Sequence, residues 1–325
     1  MDISVIIPTL NRPRLLADCL DSVLTQALDG DRFEVIVVDN GCDEETAAVA
    51  KMAMASTRCT VIYVAEPRPG LHHCRHTGAD AASSPLLVFA DDDIIATPNW
   101  LSGIIDGFSR PNVAIVGGNS LPHFDEEPPD WFHRLWKNMQ WGRVLGWYSL
   151  IDFTGDVQQI PARCVWGCNF SIRKEVLLQV GGFHPDGMPE HLARYRGDGE
   201  TAVSTMVDEL GLLTIHHPDA TVRHRISSSR LTFKYLRHRS YLQGISDCFT
   251  ILRRSQGDLG PVRKHFRRLL LIDRIKRPFH LCDDPVNEAL SLGYADGIRF
   301  YLDEARNDRS LVRWAVKESF WEKRA

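Results

Sequence analysis

The sequence predicts an α/β protein built on an open, mostly parallel sheet and extended at its C-terminus by a basic, mostly helical region. Three observations predict it. Short apolar, β-branched runs without polar alternation recur through residues 1–118, separated by stretches of helical spacing. Strands buried on both faces read this way, and helices on both sides of a parallel sheet supply the burial. Beyond residue 221 the chain changes to cationic and apolar residues at helical spacing. At 325 residues, 44% hydrophobic and 25% charged, the chain has ordinary globular composition and length enough to bury a core. Disordered, collagenous and repeat-only chains are excluded.

The elements follow in order. Residues 3–7 (ISVII) form a strand. Residues 13–27 carry Leu15, Leu16, Cys19, Leu20, Val23 and Leu24 at helical spacing. Residues 34–38 (EVIVV) are a strand, the Ala- and Met-rich 44–55 a helix, 60–64 a strand, 71–82 a helix, and 86–90 (LLVFA) a strand. Residues 100–108 read as helix and 113–116 (VAIV) as strand. Right-handed crossovers join such units into an open sheet, with ligands beyond the carboxyl ends of the strands. From 119 to 163 the pattern breaks at Pro122, Pro128 and Pro129, and four of the eight tryptophans fall here: Trp131, Trp136, Trp141 and Trp147. They either pack a core or line a cleft with their indoles. Residues 164–172 resume a strand, 174–180 a helix, and 181–199 are glycine-rich. The expected division is 1–228 as one catalytic unit (1–118 and 119–228 as its halves), followed by a helical region 229–325.

The net charge is −4, so the molecule as a whole is no polyanion binder. The distribution is uneven. Residues 230–280 hold thirteen Lys/Arg against Asp247, Asp258 and Asp273, a local +10 that leaves −14 elsewhere. Three readings fit the mixed cationic and apolar stretch 253–277: a solvated helix face, a membrane-surface helix, or a nucleic-acid contact. No base-reading motif supports the last, so no nucleic-acid partner is expected. Cys19, Cys42, Cys59, Cys74, Cys164, Cys168, Cys248 and Cys282 are scattered without a C-x-x-C pair and read as reduced core thiols of a reducing compartment. With no basic n-region and no apolar run near the ~18 residues of a span, a cytoplasmic protein is expected, peripheral at the inner face of the membrane if 253–277 meets lipid.

Chemistry concentrates after the strands. Asp91, Asp92 and Asp93 follow LLVFA directly. Three adjacent carboxylates repel one another unless a cation joins them, and oxygen ligands at a strand end suit Mn2+ or Mg2+ bridging phosphates. A solvated acidic turn is the plainer alternative. Asp39 follows EVIVV and Pro8-Thr9-Leu10-Asn11 follows the first strand, so three strand ends converge on one crevice. Arg75, on the preceding helix, reaches toward a pyrophosphate. Asp198 and Glu200, in Arg196-Gly197-Asp198-Gly199-Glu200-Thr201, form a second acidic site or cap the helix that starts there. His224 follows a short strand.

In this order and spacing, SVIIPTLNRPRLLADCLDSVLTQ, EVIVVDNG, LLVFADDD…PNWL, VWGCNFSIR…VGGF, GDGET and HRI…RLT resemble the family 2 glycosyltransferases over residues 3–245. The resemblance implies the GT-A fold, with a Rossmann-like nucleotide-binding half and an acceptor half. It implies an inverting, metal-assisted transfer of a sugar from a nucleotide-diphospho-sugar to a hydroxyl acceptor (cell-surface glycan, lipid-linked or small molecule), as in polysaccharide biosynthesis. By position, Pro8, Thr9, Asn11 and Arg12 border the nucleotide. Asp39 bonds the base, which is compatible with a UDP-type donor. Arg75 lies near base or diphosphate, Asp91 and Asp92 contact the nucleotide sugar, Asp91 and Asp93 ligate Mn2+ or Mg2+, and His224 is a further ligand. Trp166 and Asn169 stand on the acceptor side. The family's base is an aspartate in a Glu-Asp pair just before a Thr-like position, a pattern this chain departs from. Here the order Asp-Gly-Glu-Thr favours Glu200, with Asp198 the alternative. Two other readings compete: a nucleotidyltransferase, against which the glycine-free PTLNRP loop argues, and a non-catalytic nucleotide-sugar-binding protein.

Overall fold

The computed structural model describes residues 1–277 and 284–322; Cys282 lies outside them. The first half alternates strand and helix: β1 (Ile3–Thr9), α1 (Pro13–Leu24), β2 (Phe33–Asp39), α2 (Glu44–Ser56), β3 (Thr60–Ala65), α3 (Leu71–Ala81), β4 (Leu86–Ala90), β5 (Ile94–Ala96), α4 (Trp100–Gly107) and β6 (Val113–Gly117). The second half continues with β7 (Ser120–Phe124), α5 (Asp130–His133), β8 (Lys137–Met139), β9 (Gly142–Leu145), β10 (Leu150–Phe153), β11 (Gln158–Gln159), β12 (Asn169–Arg173), α6 (Lys174–Gln179), α7 (Glu200–Glu209), β13 (Leu213–His216) and β14 (Val222–Ile226). Four helices close the described chain: α8 (Phe233–Arg254), α9 (Leu259–Lys276), α10 (Pro285–Asn307) and α11 (Arg309–Ala315).

The main sheet has the order β11-β13-β6-β12-β4-β1-β2-β3. Strands β4, β1, β2 and β3 are mutually parallel, β13 is parallel to β6, and β12 runs antiparallel between β4 and β6. The mostly parallel sheet expected from the apolar runs is therefore present. Every residue of β1 and β2 is buried, because apolar clusters lie against both faces. One gathers Leu16, Leu20, Trp100 and Ile104 from α1 and α4. The other gathers Cys74, Phe170, Leu177 and Phe183 from α3, β12, α6 and the loop after it. The strand expected at 164–172 is shorter, because the peptide turns through a 3-10 segment Ala162–Cys164 first.

Residues 119–163, irregular by periodicity, supply most of a second sheet of order β5-β14-β7-β10-β9-β8. Its strands are too short and too polar to show a period. Trp131, Trp136 and Trp147 pack half-buried around Phe132, Tyr148 and Leu236, and Trp141 packs against the main core. The four indoles pack half-buried against the apolar clusters, in line with the packing reading.

The helical region packs on itself through Ile245, Phe249, Leu252, Phe266, Ile298 and Tyr301. Glycine fixes its closest approach. An ideal Cβ on Gly293 would stand 2.1 Å from the Arg237 carbonyl oxygen, and one on Gly297 2.0 Å from that of Tyr241. Helices α8 and α10 therefore meet backbone to backbone. Thr232 caps α8 by accepting from the Tyr235 amide at 3.1 Å, a contact worth about 1 kcal/mol. Helix α9 leaves Leu271, Ile272 and Ile275 exposed. Among the described residues no helix is long and apolar enough to cross a membrane.

Candidate active site

The carboxyl ends of β1, β2 and β4 deliver their side chains to one edge of the sheet, and β14 adds a fourth. The three aspartates after β4 part company there. Asp92 turns inward and is fully buried: Thr9 Oγ1 donates to it at 2.6 Å and the Arg12 guanidinium pairs with it. Asp91 stays on the cleft wall, 3.9 Å from Arg75. Asp93 reaches across to β14. The antiparallel register sets His224 opposite Ile94, and the Arg225 amide donates to the Asp93 carbonyl at 2.9 Å. His224 Nε2 consequently stands 3.2 Å from Asp93 Oδ1.

That contact tests whether the group fits a cation. His224 is buried, and its Nδ1 lies 2.9 Å from the Tyr148 carbonyl oxygen. A carbonyl only accepts, so Nδ1 carries a proton, and Nε2 meets the carboxylate either with a second proton or with a lone pair turned to a cation. Either way a positive charge stands between imidazole and carboxylate, a proton or a metal ion. Ligand atoms of Asp91, Asp93 and His224 all lie within 4.8 Å of one another. Two carboxylates and an imidazole suit Mn2+ or Mg2+; the fit is good.

The electrostatics pull the two outer aspartates apart. Burial opposes the ionised form of Asp93, but the His224 hydrogen bond and the charges of His224, Arg12 and Arg230 outweigh it and hold its carboxyl below the usual range. Burial pushes the Asp91 carboxyl up and the Asp93 charge adds to it, with Arg75 opposing. Arg230 was absent from the expected site. Its Nη1 lies 3.4 Å from Asp93 and 3.2 Å from the Arg225 carbonyl oxygen, and its Nε donates to Tyr235 Oη at 3.1 Å. It belongs to the HRI…RLT motif that helps carry the resemblance, which gave it no role; the turn after β14 brings it back to Asp93.

Opposite the aspartates stands Glu200, the first residue of α7. It accepts from the Gly167 amide at 3.1 Å, and Arg75 Nη1 approaches it at 3.4 Å. Arg75 is buried with its guanidinium 5.1 Å from the Phe183 ring centre, placed between Asp91 and Glu200. Asp198 is committed elsewhere. His184 Nδ1 lies 2.6 Å from one of its oxygens, and Thr250 donates to the other at 2.7 Å. A cleft of about 640 Å³ joins Asp91, His224, Arg230, Arg75, Trp166 and Glu200. The structure thus brings Asp91, Asp93, His224, Arg75 and Glu200 together, with Trp166 on the wall.

Other expected contacts change character. Pro8 is buried inside the sheet opposite Val38 and offers no surface to a ligand; the same holds for Asp92, which supports Arg12 from below. Asp39 is fully buried. Its oxygens accept from the amides of Gly41, Cys42 and Asp43 and from Tyr63 Oη, at 2.9–3.0 Å. It shapes the loop after β2 and leaves no free acceptor for a base. Asn11, exposed at φ 53°, leans on that loop, where a Cβ on Gly41 would come 2.0 Å from its Oδ1. Asn169 is withdrawn from the acceptor wall: it accepts from Trp100 Nε1 at 2.9 Å and donates to the Ala220 carbonyl at 2.8 Å. A polar residue at a strand start looks alike in sequence whether it faces ligand or braces three loops.

Residues 4–181 match the family model described as glycosyl transferase family 2. The chain is 24% identical over 291 residues to the glucosyl-dolichyl phosphate glucuronosyltransferase of Haloferax volcanii, covering 88% of each chain. It is 28% identical over 199 residues to a validoxylamine A glucosyltransferase of Streptomyces hygroscopicus, covering 57% of this chain and 44% of that one. The mannosyltransferase PcManGT of Pyrobaculum calidifontis, solved in complex with GDP-Man and Mn2+, superposes with a TM-score of 0.56 over 99% of this chain and 88% of its own, at 18% identity. At that identity the likeness shows the fold. The alternating sheet, the acidic strand end and the family match agree, and the chain belongs to glycosyl transferase family 2, a glycosyltransferase of the GT-A type.

Proposed function

We propose that the protein transfers a sugar, with inversion at the anomeric carbon, from a nucleoside-diphosphate sugar to a hydroxyl acceptor, assisted by a divalent cation. The convergence of Asp91, Asp93 and His224 on one side of the cleft with Glu200 on the other carries this reading. A cation held by the first three would neutralise charge developing on the diphosphate leaving group. Arg12 and Arg230, both against Asp93, add fixed positive charge on the same side. Glu200 accepts the proton of the acceptor hydroxyl as its oxygen bonds to the anomeric carbon and the carbon–phosphate-oxygen bond breaks, the electron pair leaving with the diphosphate. Asp198, tied to His184 and Thr250, is a bracing residue rather than the base. The printed complex of PcManGT with GDP-Man and Mn2+ supports the donor class. With Asp39 saturated by its own loop, uracil is no longer favoured over guanine.

The test is a thermal-shift panel of GDP, UDP and their sugars with and without Mn2+, since ligand binding raises stability by mass action. A donor found this way is then used for transfer, with the anomeric configuration of the product read by NMR. Metal-independent stabilisation, or a retained configuration, would overturn the corresponding part of the proposal.

A further inference from the structure

After α11 the chain runs out as a short strap, 316–322, laid against the back of the active site. Arg253, near the end of α8, clasps its start, donating to the Ala315 carbonyl at 3.0 Å and to those of Lys317 and Glu318. Ser319 donates to the Gly181 carbonyl at 3.4 Å. Trp321 Nε1 reaches both oxygens of exposed Asp80 on α3 at 3.2 Å.

The strap has two arms. Trp321 stacks on His76, with 4.7 Å between ring centres and the planes 3° from parallel. His76 is buried, and its Nε2 accepts from the Phe183 amide at 2.9 Å. The Phe183 ring follows at 6.0 Å, and the Arg75 guanidinium stands 5.1 Å from that ring. Arg75 in turn approaches Glu200. Planar groups thus follow one another from half-buried Trp321 to the cleft. Gly182, at φ 78°, passes beside both outer rings: a Cβ there would come 2.6 Å from His76 Nε2 and 2.7 Å from Trp321 Cε3. The second arm is buried Phe320, 5.4 Å from the His184 ring in edge contact. His184 holds Asp198, and its amide donates to the Gly199 carbonyl at 3.2 Å. The strap therefore grips both ends of the loop that leads into Glu200.

Resting on the reading of Glu200 as base, we infer that Trp321 is a positioning residue for the transfer: through His76 and Phe183 it fixes Arg75, and together with Phe320 it fixes the loop that sets Glu200 in the cleft. Close-packed groups pass small displacements on to their neighbours. The strap lies outside residues 4–181 that match the family model, so this role belongs to the helical region's own end.

The test uses the full-length protein with GDP-mannose and with UDP-glucose in Mn2+, water serving as acceptor and released nucleoside diphosphate as the readout. Trp321→Ala should lower kcat about tenfold, on the scale of a small misplacement of a reacting group, with donor KM and Mn2+-dependent GDP or UDP binding unchanged. Trp321→Phe keeps a ring against His76 and should restore most of kcat. Asp80→Ala frees the indole Nε1 from an exposed partner without opening the core, and should lower kcat about threefold. Added to Glu200→Gln, Trp321→Ala should cost nothing further, because both act on one proton acceptor. Unchanged kcat in Trp321→Ala and Asp80→Ala would overturn the inference. So would a lower Tm with full kcat in the folded fraction, or additive losses in the double variant. A slow Glu200→Gln beside a normal Trp321→Ala removes the strap's role alone. Wild-type turnover in Glu200→Gln breaks the base reading itself, and the inference with it.

Discussion

Arg75 holds Glu200 at 3.4 Å while standing 3.9 Å from Asp91, so one buried guanidinium spaces the two carboxylates that face each other across the cleft. Its own position depends on the absence of a side chain: a Cβ on Gly167 would stand 2.1 Å from Arg75 Nη2.

Gly167→Ala therefore tests the spacing. The guanidinium is packed on Phe183 and has little room to retreat. We expect about 1–3 kcal/mol of lost stability from overpacking, seen as a lower denaturant midpoint. Transfer should fall by more than tenfold because Glu200 is displaced with Arg75. Wild-type turnover in this variant would show that the spacing is not needed.

Glu200→Gln and Asp198→Asn separate base from brace. The first keeps the Gly167 bond but removes the proton acceptor, and kcat should drop about 10²–10⁴-fold with nucleotide binding intact. The second weakens the contacts to His184 and Thr250 and should cost about 1.5–3 kcal/mol in chemical denaturation, with a smaller loss of kcat. The reverse pattern would assign the base to Asp198.

Asp93→Ala removes the carboxylate on which His224, Arg12 and Arg230 converge. Mn2+-dependent stabilisation by a nucleoside diphosphate should vanish. Chelation with EDTA should reproduce that loss in the wild-type chain and change nothing further in the variant.

Stability should fall on the acid side in two stages. Burial, helped by the charge of His73, pushes buried His72 down to about 3 from its ordinary 6.5, and burial lowers His76 as well. The unfolded chain then takes up protons below pH 6.5 that the folded one refuses, so stability is lost as pH falls from about 6.5 toward 3. Glu66 acts lower. Burial opposes its charge, yet hydrogen bonds from Arg68 and Thr77 outweigh this and hold its carboxyl far below the ordinary 4.5. Its contribution is complete above that value and fades beneath it. A Tm series from pH 7.5 to 3.5 checks both: His72→Gln should flatten the upper stage, and Glu66→Gln the lower.

The periodicity of residues 3–116 determined the parallel layer, because strands buried on both faces must be apolar throughout and the helices between them must show a 3.6-residue stripe. It also put Asp91 and Asp93 just past a strand and Arg75 on the helix before it, while the glycine-flanked motif at 196–201 put Glu200 at a helix start. It could not separate Asp92 from its neighbours, since three consecutive side chains after a strand diverge only once Thr9 and Arg12 claim the middle one. Nor could it tell a bracing Asn169 or Asp39 from a ligand-facing one. The small sheet of 119–153 was hidden because its stability comes from tryptophans packed on a distant helix, not from its own pattern. Local order is written in spacing along the chain; which carboxylate meets which cation depends on contacts between residues far apart in it, such as the 137 positions from Asp93 to Arg230, and only packing decides those.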